Sequence, residues 1–147
     1  MTVEGAWLLP DVTEPTSAGF WEGCAVGELR VQTCASCGTR RMPPRPMCSN
    51  CRSIEVRWEP TSGRGRIWSF IVPHPPLLPA FAEVAPYNAI IVELEEDPSI
   101  RFAGNLVVTA DGEINEIDPA TIAIGDRVRV VFHQIDDVAL PRWVRDV

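Results

Sequence analysis

Lysine is missing altogether: the 13 basic residues of this 147-residue chain are all arginine. No side-chain amine is therefore available for Schiff-base chemistry. Histidine occurs twice, as His74 and His133, and neither has a serine or cysteine beside it in a recognisable nucleophile setting. A structural or surface role is expected for each. Tyr87 is the one tyrosine and reads as a packing residue at a barrel rim. No glycine-rich phosphate loop and no paired-acid constellation is present, so no independent active site is expected. No apolar run approaches the roughly 20 residues a membrane helix needs. The opening stretch, MTVEGAWLLPDVTEP, lacks a positive n-region and carries acids and prolines, which does not fit a signal peptide. A cytoplasmic protein with reduced thiols is the expectation, and paired cysteines then point to metal rather than to disulfides.

With 46% apolar and 22% charged residues the chain reads as globular, long enough for one ordinary domain or a small module joined to a modest one. The net charge is −7, and the acids concentrate after residue 72. Affinity for phosphate backbones comes chiefly from Lys and Arg, so this balance argues against a general nucleic-acid binder.

The strong motif is CASCGTRRMPPRPMCSNC, Cys34 to Cys51. Two Cys-x-x-Cys turns, Cys34/Cys37 and Cys48/Cys51, can each point two sulfurs at one ion, and together they make the tetrahedral cage that suits zinc. Four thiolates leave no open coordination position, so the expected zinc, one per chain, is structural. A redox dithiol, an iron–sulfur cluster and an empty site are the competing readings. Gly38 supplies the tight-turn residue after the first pair, whereas Arg52 stands in the matching place after the second and predicts a less regular turn. Arg40, Arg41 and Arg45 lie on the proline-stiffened arm between the pairs. They either balance the negative charge of a tetrathiolate site or meet phosphates with their planar forks. The fifth cysteine, Cys24, reads as a small buried hydrophobe.

Residues 1–14 look like an irregular lead-in. A short helix is expected from Pro15, with Phe20, Trp21 and Cys24 on one stripe and Thr16 or Ser17 as its cap. Gly19, Gly23 and Gly27 weaken it, so packing must hold it. Residues 66–72, YNAIIVELEE, IRFAGNLVVT, DRVRVVFHQI and VALPRWVRDV are strand-like, with turns at Asp97-Pro98 and ADGE. Residues 73–86 hold five prolines and cannot be regular, yet Leu77, Leu78 and Phe81 are too apolar for an ordinary solvent loop. The fold class is mainly β: residues 1–29 as lead-in and helix, 30–60 as a rubredoxin-like zinc ribbon, and 61–147 as a five- to six-stranded OB-fold barrel.

The order of these pieces, FWEG, GELRVQTCASCG, PPRPMCSNC, GRGRIWSFIVPH, PYNAIIVELEE and IGDRVRVVF, resembles the zinc-ribbon OB-fold family of acyl-CoA-associated proteins, long catalogued as a domain of unknown function. The resemblance spans about residues 15 to 135. It implies a partner subunit of a thiolase-like enzyme that cleaves a C–C bond of a CoA ester, as in steroid side-chain degradation, with the catalytic residues on the partner and a two-plus-two heterotetramer. It further implies that Cys34, Cys37, Cys48 and Cys51 hold zinc. Phe20 and Trp21, the loop residues His74, Leu77, Leu78 and Phe81 with neighbouring Tyr87, and the arm's Arg40, Arg41 and Arg45 become candidates for partner or CoA contact. A nucleic-acid-binding ribbon and barrel, and a stand-alone CoA-ester binder, are the alternatives.

Overall fold

A computed structural model describes residues 7–147; the first six positions of the expected lead-in lie outside the described residues. Two antiparallel sheets divide the chain. The first contains β1 (Arg30–Cys34), β2 (Arg40–Arg41) and β3 (Val56–Pro60) in the order β2-β1-β3. The second contains β4 (Arg64–Ile71), β5 (Ala89–Leu94), β6 (Arg101–Gly104), β7 (Arg127–Ile135) and β8 (Val138–Arg145) in the order β6-β5-β4-β7-β8. Two short helices, α1 (Ala18–Ala25) and α2 (Pro79–Ala82), complete the regular structure together with a 3-10 turn at Pro119–Thr121.

Alternation builds the second sheet. On β5 the buried residues Ile90, Val92 and Leu94 alternate with half-buried Ile91 and Glu93, as a period-2 strand with one inner face requires. Ile67, Phe102, Val128 and Trp143 meet them inside the barrel. Closure comes from a parallel contact between the run-out of β6 and β8. The Val107 N–H donates to the Trp143 carbonyl at 2.8 Å, and the Trp143 N–H donates to the Asn105 carbonyl at 3.0 Å. Asn88, fully buried, clips this closure by bonding both backbone groups of Leu106. The stretch IRFAGNLVVT, strand-like throughout by composition, is thus a strand only to Gly104, because the clip diverts the backbone from β5 toward β8.

α1 joins the two sheets, touching β1, β3 and β8. Gly19 and Gly23 lie on its buried side, and a Cβ on Gly19 would overlap the Trp58 indole of β3. The glycines that weaken the helix are what let it pack so closely. Phe20 is 6% exposed and stacks on Phe102 at 6.1 Å between centroids, so its side chain belongs to the core rather than to a docking surface. Trp21 sets its ring edge-on to Phe20 and is half-buried. Cys24 is in the same core, where burial pushes its thiol up to about 12. Ser17 occupies the N-cap position without capping the helix; its hydroxyl instead donates to the Glu14 carboxylate.

Candidate metal centre and partner surface

β1 ends at Cys34, and the chain turns at once so that Cys37 comes back beside it. The Gly38 N–H closes this turn on the Cys34 carbonyl at 2.9 Å. The second knuckle repeats it, with the Arg52 N–H on the Cys48 carbonyl at 2.9 Å. Both closing residues adopt left-handed backbone, Gly38 at φ 78° and Arg52 at φ 64°. The second turn is therefore as regular as the first, contrary to the expectation from its arginine. The irregularity has become strain: a non-glycine residue there costs roughly 1–2 kcal/mol. Arg52→Gly is expected to leave zinc content unchanged and to raise thermal stability by up to about 1 kcal/mol, part of the relief being offset by the freer unfolded chain. A fall in melting temperature would contradict this.

All four sulfurs lie within 4.8 Å of one another. The Cys34–Cys51 and Cys37–Cys48 sulfur pairs stand 3.5 and 3.7 Å apart. Tetrahedral zinc with bonds of about 2.3 Å has S···S edges of about 3.8 Å, so these two pairs already stand at the spacing the ion requires. Their acid–base behaviour fits as well. The Thr39 hydroxyl, then the Asn50 amide, pull the Cys37 thiol down to about 5. Cys51 is lowered by the Ser53 backbone N–H, but sharing protons with the Cys34 and Cys37 sulfurs outweighs this and raises it to about 12. Four sulfurs this close need a cation before all can ionise. The four cysteines are positioned to bind a metal; zinc held there supplies charge and cross-linking, and no position remains for substrate. Ser36 and Ser53 bond at 2.8 Å across the two knuckles and fix their spacing.

The arginine arm separates into three roles. Arg40 reaches across to the barrel, 3.5 Å from Asp97, and lies 3.9 Å from Glu59 of β3 in its own sheet. Arg41 is 8% exposed and donates through Nη2 to the Arg45 carbonyl at 3.0 Å, so it holds the arm from inside and offers no fork to a phosphate. Arg45 has an exposed side chain, while its backbone N–H is held by the buried Gln32 amide oxygen at 2.8 Å.

The proline-rich loop after β4 is pinned by aromatics. Trp7 meets Phe81 edge-on at 4.8 Å, and Phe81 lies 5.9 Å from Tyr87. Phe81 and Tyr87 are half-buried by this arrangement, which leaves Leu78, 56% exposed, and His74 facing out; Leu77 is half-buried. His133 is paired with Asp111 at 2.9 Å and lines a cavity of about 530 Å³ with Arg142 and Trp7. Thus the structure gathers the four cysteines, spreads the other candidates over several surfaces, and removes Phe20 and Arg41 from them. It also exposes residues that the sequence reading passed over: Trp68, Ile71 and Arg101. Strict alternation from buried Ile67 would have placed Trp68 outward with Arg66.

Comparison with known proteins agrees with this architecture. The family model of the ChsH2 rubredoxin-like zinc ribbon domain matches residues 21–57, and that of the ChsH2 C-terminal OB-fold domain matches residues 58–133. The chain is 35% identical over 141 residues to the 3-oxo-4,17-pregnadiene-20-carboxyl-CoA hydratase alpha subunit of Mycobacterium tuberculosis, covering 96% of this chain. It spans 41% of that relative's length. It is 36% identical over 106 residues to a DUF35 domain-containing scaffold protein of Methanothermobacter thermautotrophicus, covering 69% of each. Among solved structures it is similar to a chain of the Ltp2-ChsH2(DUF35) aldolase, at 32% identity and a TM-score of 0.77, over 94% of this chain and 100% of the other.

Proposed function

Because the chain belongs to the DUF35 family of ChsH2-type zinc-ribbon and OB-fold proteins, we propose that it is the accessory, non-catalytic subunit of a thiolase-like aldolase that cleaves a C–C bond in a CoA ester. The observation that carries this reading is the similarity along the full length of a chain from the Ltp2-ChsH2(DUF35) aldolase. The site chemistry supports it: the four cysteines make a closed centre with no open position, so bond cleavage falls to the partner. The substrate is a CoA ester of the steroid side-chain type, in keeping with the name of the mycobacterial relative. The assembly is two copies of each subunit, in the cytoplasm, where the thiols stay reduced for zinc. His74, Leu77, Leu78 and Arg45 lie where they can meet the partner or the CoA chain, as do the outer parts of Trp21, Phe81 and Tyr87.

Co-expression with the thiolase-like protein of the same genome tests the reading. Size-exclusion chromatography with light scattering is expected to give one species with the mass of two chains of each kind. Separate elution of the two proteins would overturn it.

A further inference from the structure

The outer face of the second sheet carries a charge arrangement that stability does not explain. On β4, Arg64 and Arg66 point outward on either side of buried Gly65. Directly across from them on β7 stand Arg129 and Arg127. Like charges opposite one another destabilise a sheet. Arg64 has Asp146 at 3.8 Å; among the described residues the other three make no ion pair. The row continues on the same face, because Arg66 is across from Glu93 and Glu93 across from Arg101. Glu93 lies within this row, and Asp146 borders it beside Arg64. Five of the 13 basic residues thus collect on one face of a chain whose net charge is −7.

Beside this row the face turns apolar. Trp68, outward by plain alternation with Arg64 and Arg66, is 45% exposed, with the Arg101 guanidinium 3.7 Å above its ring. A bulge between Ile67 and Ser69 then shifts the alternation, so that Ile71 faces out as well. Ile71 is 63% exposed, and the register sets it across from Ala89, next to the Ile91–Ala103 pair. The loop with Leu78 leaves the sheet at this edge. Tryptophan and arginine are the residue types that dominate interface energies. A pair already stacked loses little freedom on docking. With Arg101 laid upon it, the indole is covered against a stacking base, which favours a protein surface over a nucleotide.

We infer that this half-apolar, half-arginine face is where the catalytic subunit docks, through an apolar centre bordered by acidic side chains. The inference rests on the reading proposed above and adds to it the face and the chemistry of the partner. Calorimetric titration of the zinc-loaded full chain with the thiolase-like subunit tests it. Trp68→Ala is expected to weaken binding at least about tenfold. The double variant Arg66→Glu/Arg127→Glu is expected to weaken it by more than about tenfold and to abolish the loss of affinity that added salt causes in the unaltered chain. Arg57→Glu, the charge change of one of these two substitutions placed on the exposed face of the ribbon, should bind as the unaltered chain does. Zinc content and circular dichroism verify that each variant is folded. Unchanged affinity in folded Trp68→Ala and in the double variant would overturn the docking face while leaving the partner reading in place. So would an equal loss in Arg57→Glu, or Trp68-dependent binding of poly-dT tighter than binding of the subunit. If the unaltered chain does not bind the subunit at all, both readings fall together.

Discussion

Cys48→Ser is expected to abolish metal binding, taking zinc from about one per chain to below about a tenth. Cys48 and Cys34 are the two buried ligands, at 1% and 0% exposure, and each anchors one knuckle to the body of the ribbon. Structural zinc binds with an apparent free energy of about 10–16 kcal/mol in zinc-finger peptides, where binding and folding are one event, and this sheet has nothing to replace it. β2 has two residues and β1 five, too few to persist without the cross-link. The damage will not stop at the knuckles. Val31 of the ribbon and Leu29 just before it belong to the same core as Phe20 of α1 and Phe102 of the barrel. Loss of the ion is therefore expected to lower the melting temperature of the whole chain, not only to broaden signals of residues 30–60. Metal analysis with thermal denaturation checks both parts. A zinc-free Cys48→Ser protein that melts as the unaltered chain does would show that the ribbon and barrel fold independently.

Trp143→Ala should be the most costly single truncation in the barrel, about 3–5 kcal/mol, or roughly 10 °C or more in melting temperature. The indole is fully buried, with Phe102 6.4 Å away between centroids and Gly104 in contact with its edge. Its backbone also makes the parallel bonds to Asn105 and Val107 that close the barrel. Among the described residues the indole N–H has no hydrogen-bond partner. Trp143→Phe discards that unpaired donor along with part of the ring and is expected to cost less, about 1–2 kcal/mol. Thermal denaturation of the two variants separates the cases: a smaller loss in Trp143→Ala than in Trp143→Phe would contradict the packing described here.

The sequence carried the ribbon and most of the barrel because both rest on local signals. Cys-x-x-Cys spacing is read directly, and Ile90, Val92 and Leu94 show their inward face by alternation alone. What escaped it depended on non-local geometry. Arg41 looked like part of a basic arm, yet pairing of β1 with β2 sets it beside buried Gln32 and turns it inward. Phe20, on the apolar stripe of a weak helix, became a contact candidate through the family resemblance, and the approach allowed by Gly19 buries it. Alternation alone would have marked Trp68 as outward, whereas Ile71 faces out only because a bulge shifts the strand's phase after Ile67, and that bulge has no mark of its own in the sequence. The four arginines paired across β4 and β7 were separated by sixty-odd residues of chain, and only the register brings them together. The metal ligands were thus legible from spacing, whereas the partner surface became visible only with the fold.

The central claim is a division of labour: this chain holds a surface, and a thiolase-like subunit breaks the bond. Reconstitution measures it directly. Retro-aldol cleavage of a steroid side-chain CoA ester is followed with the thiolase-like subunit alone, this chain alone, and the two combined. The account predicts no turnover by this chain alone and cleavage by the mixture, with the rate saturating at one chain per catalytic subunit. Turnover by this chain alone, or full activity of the thiolase-like subunit without it, would contradict the account.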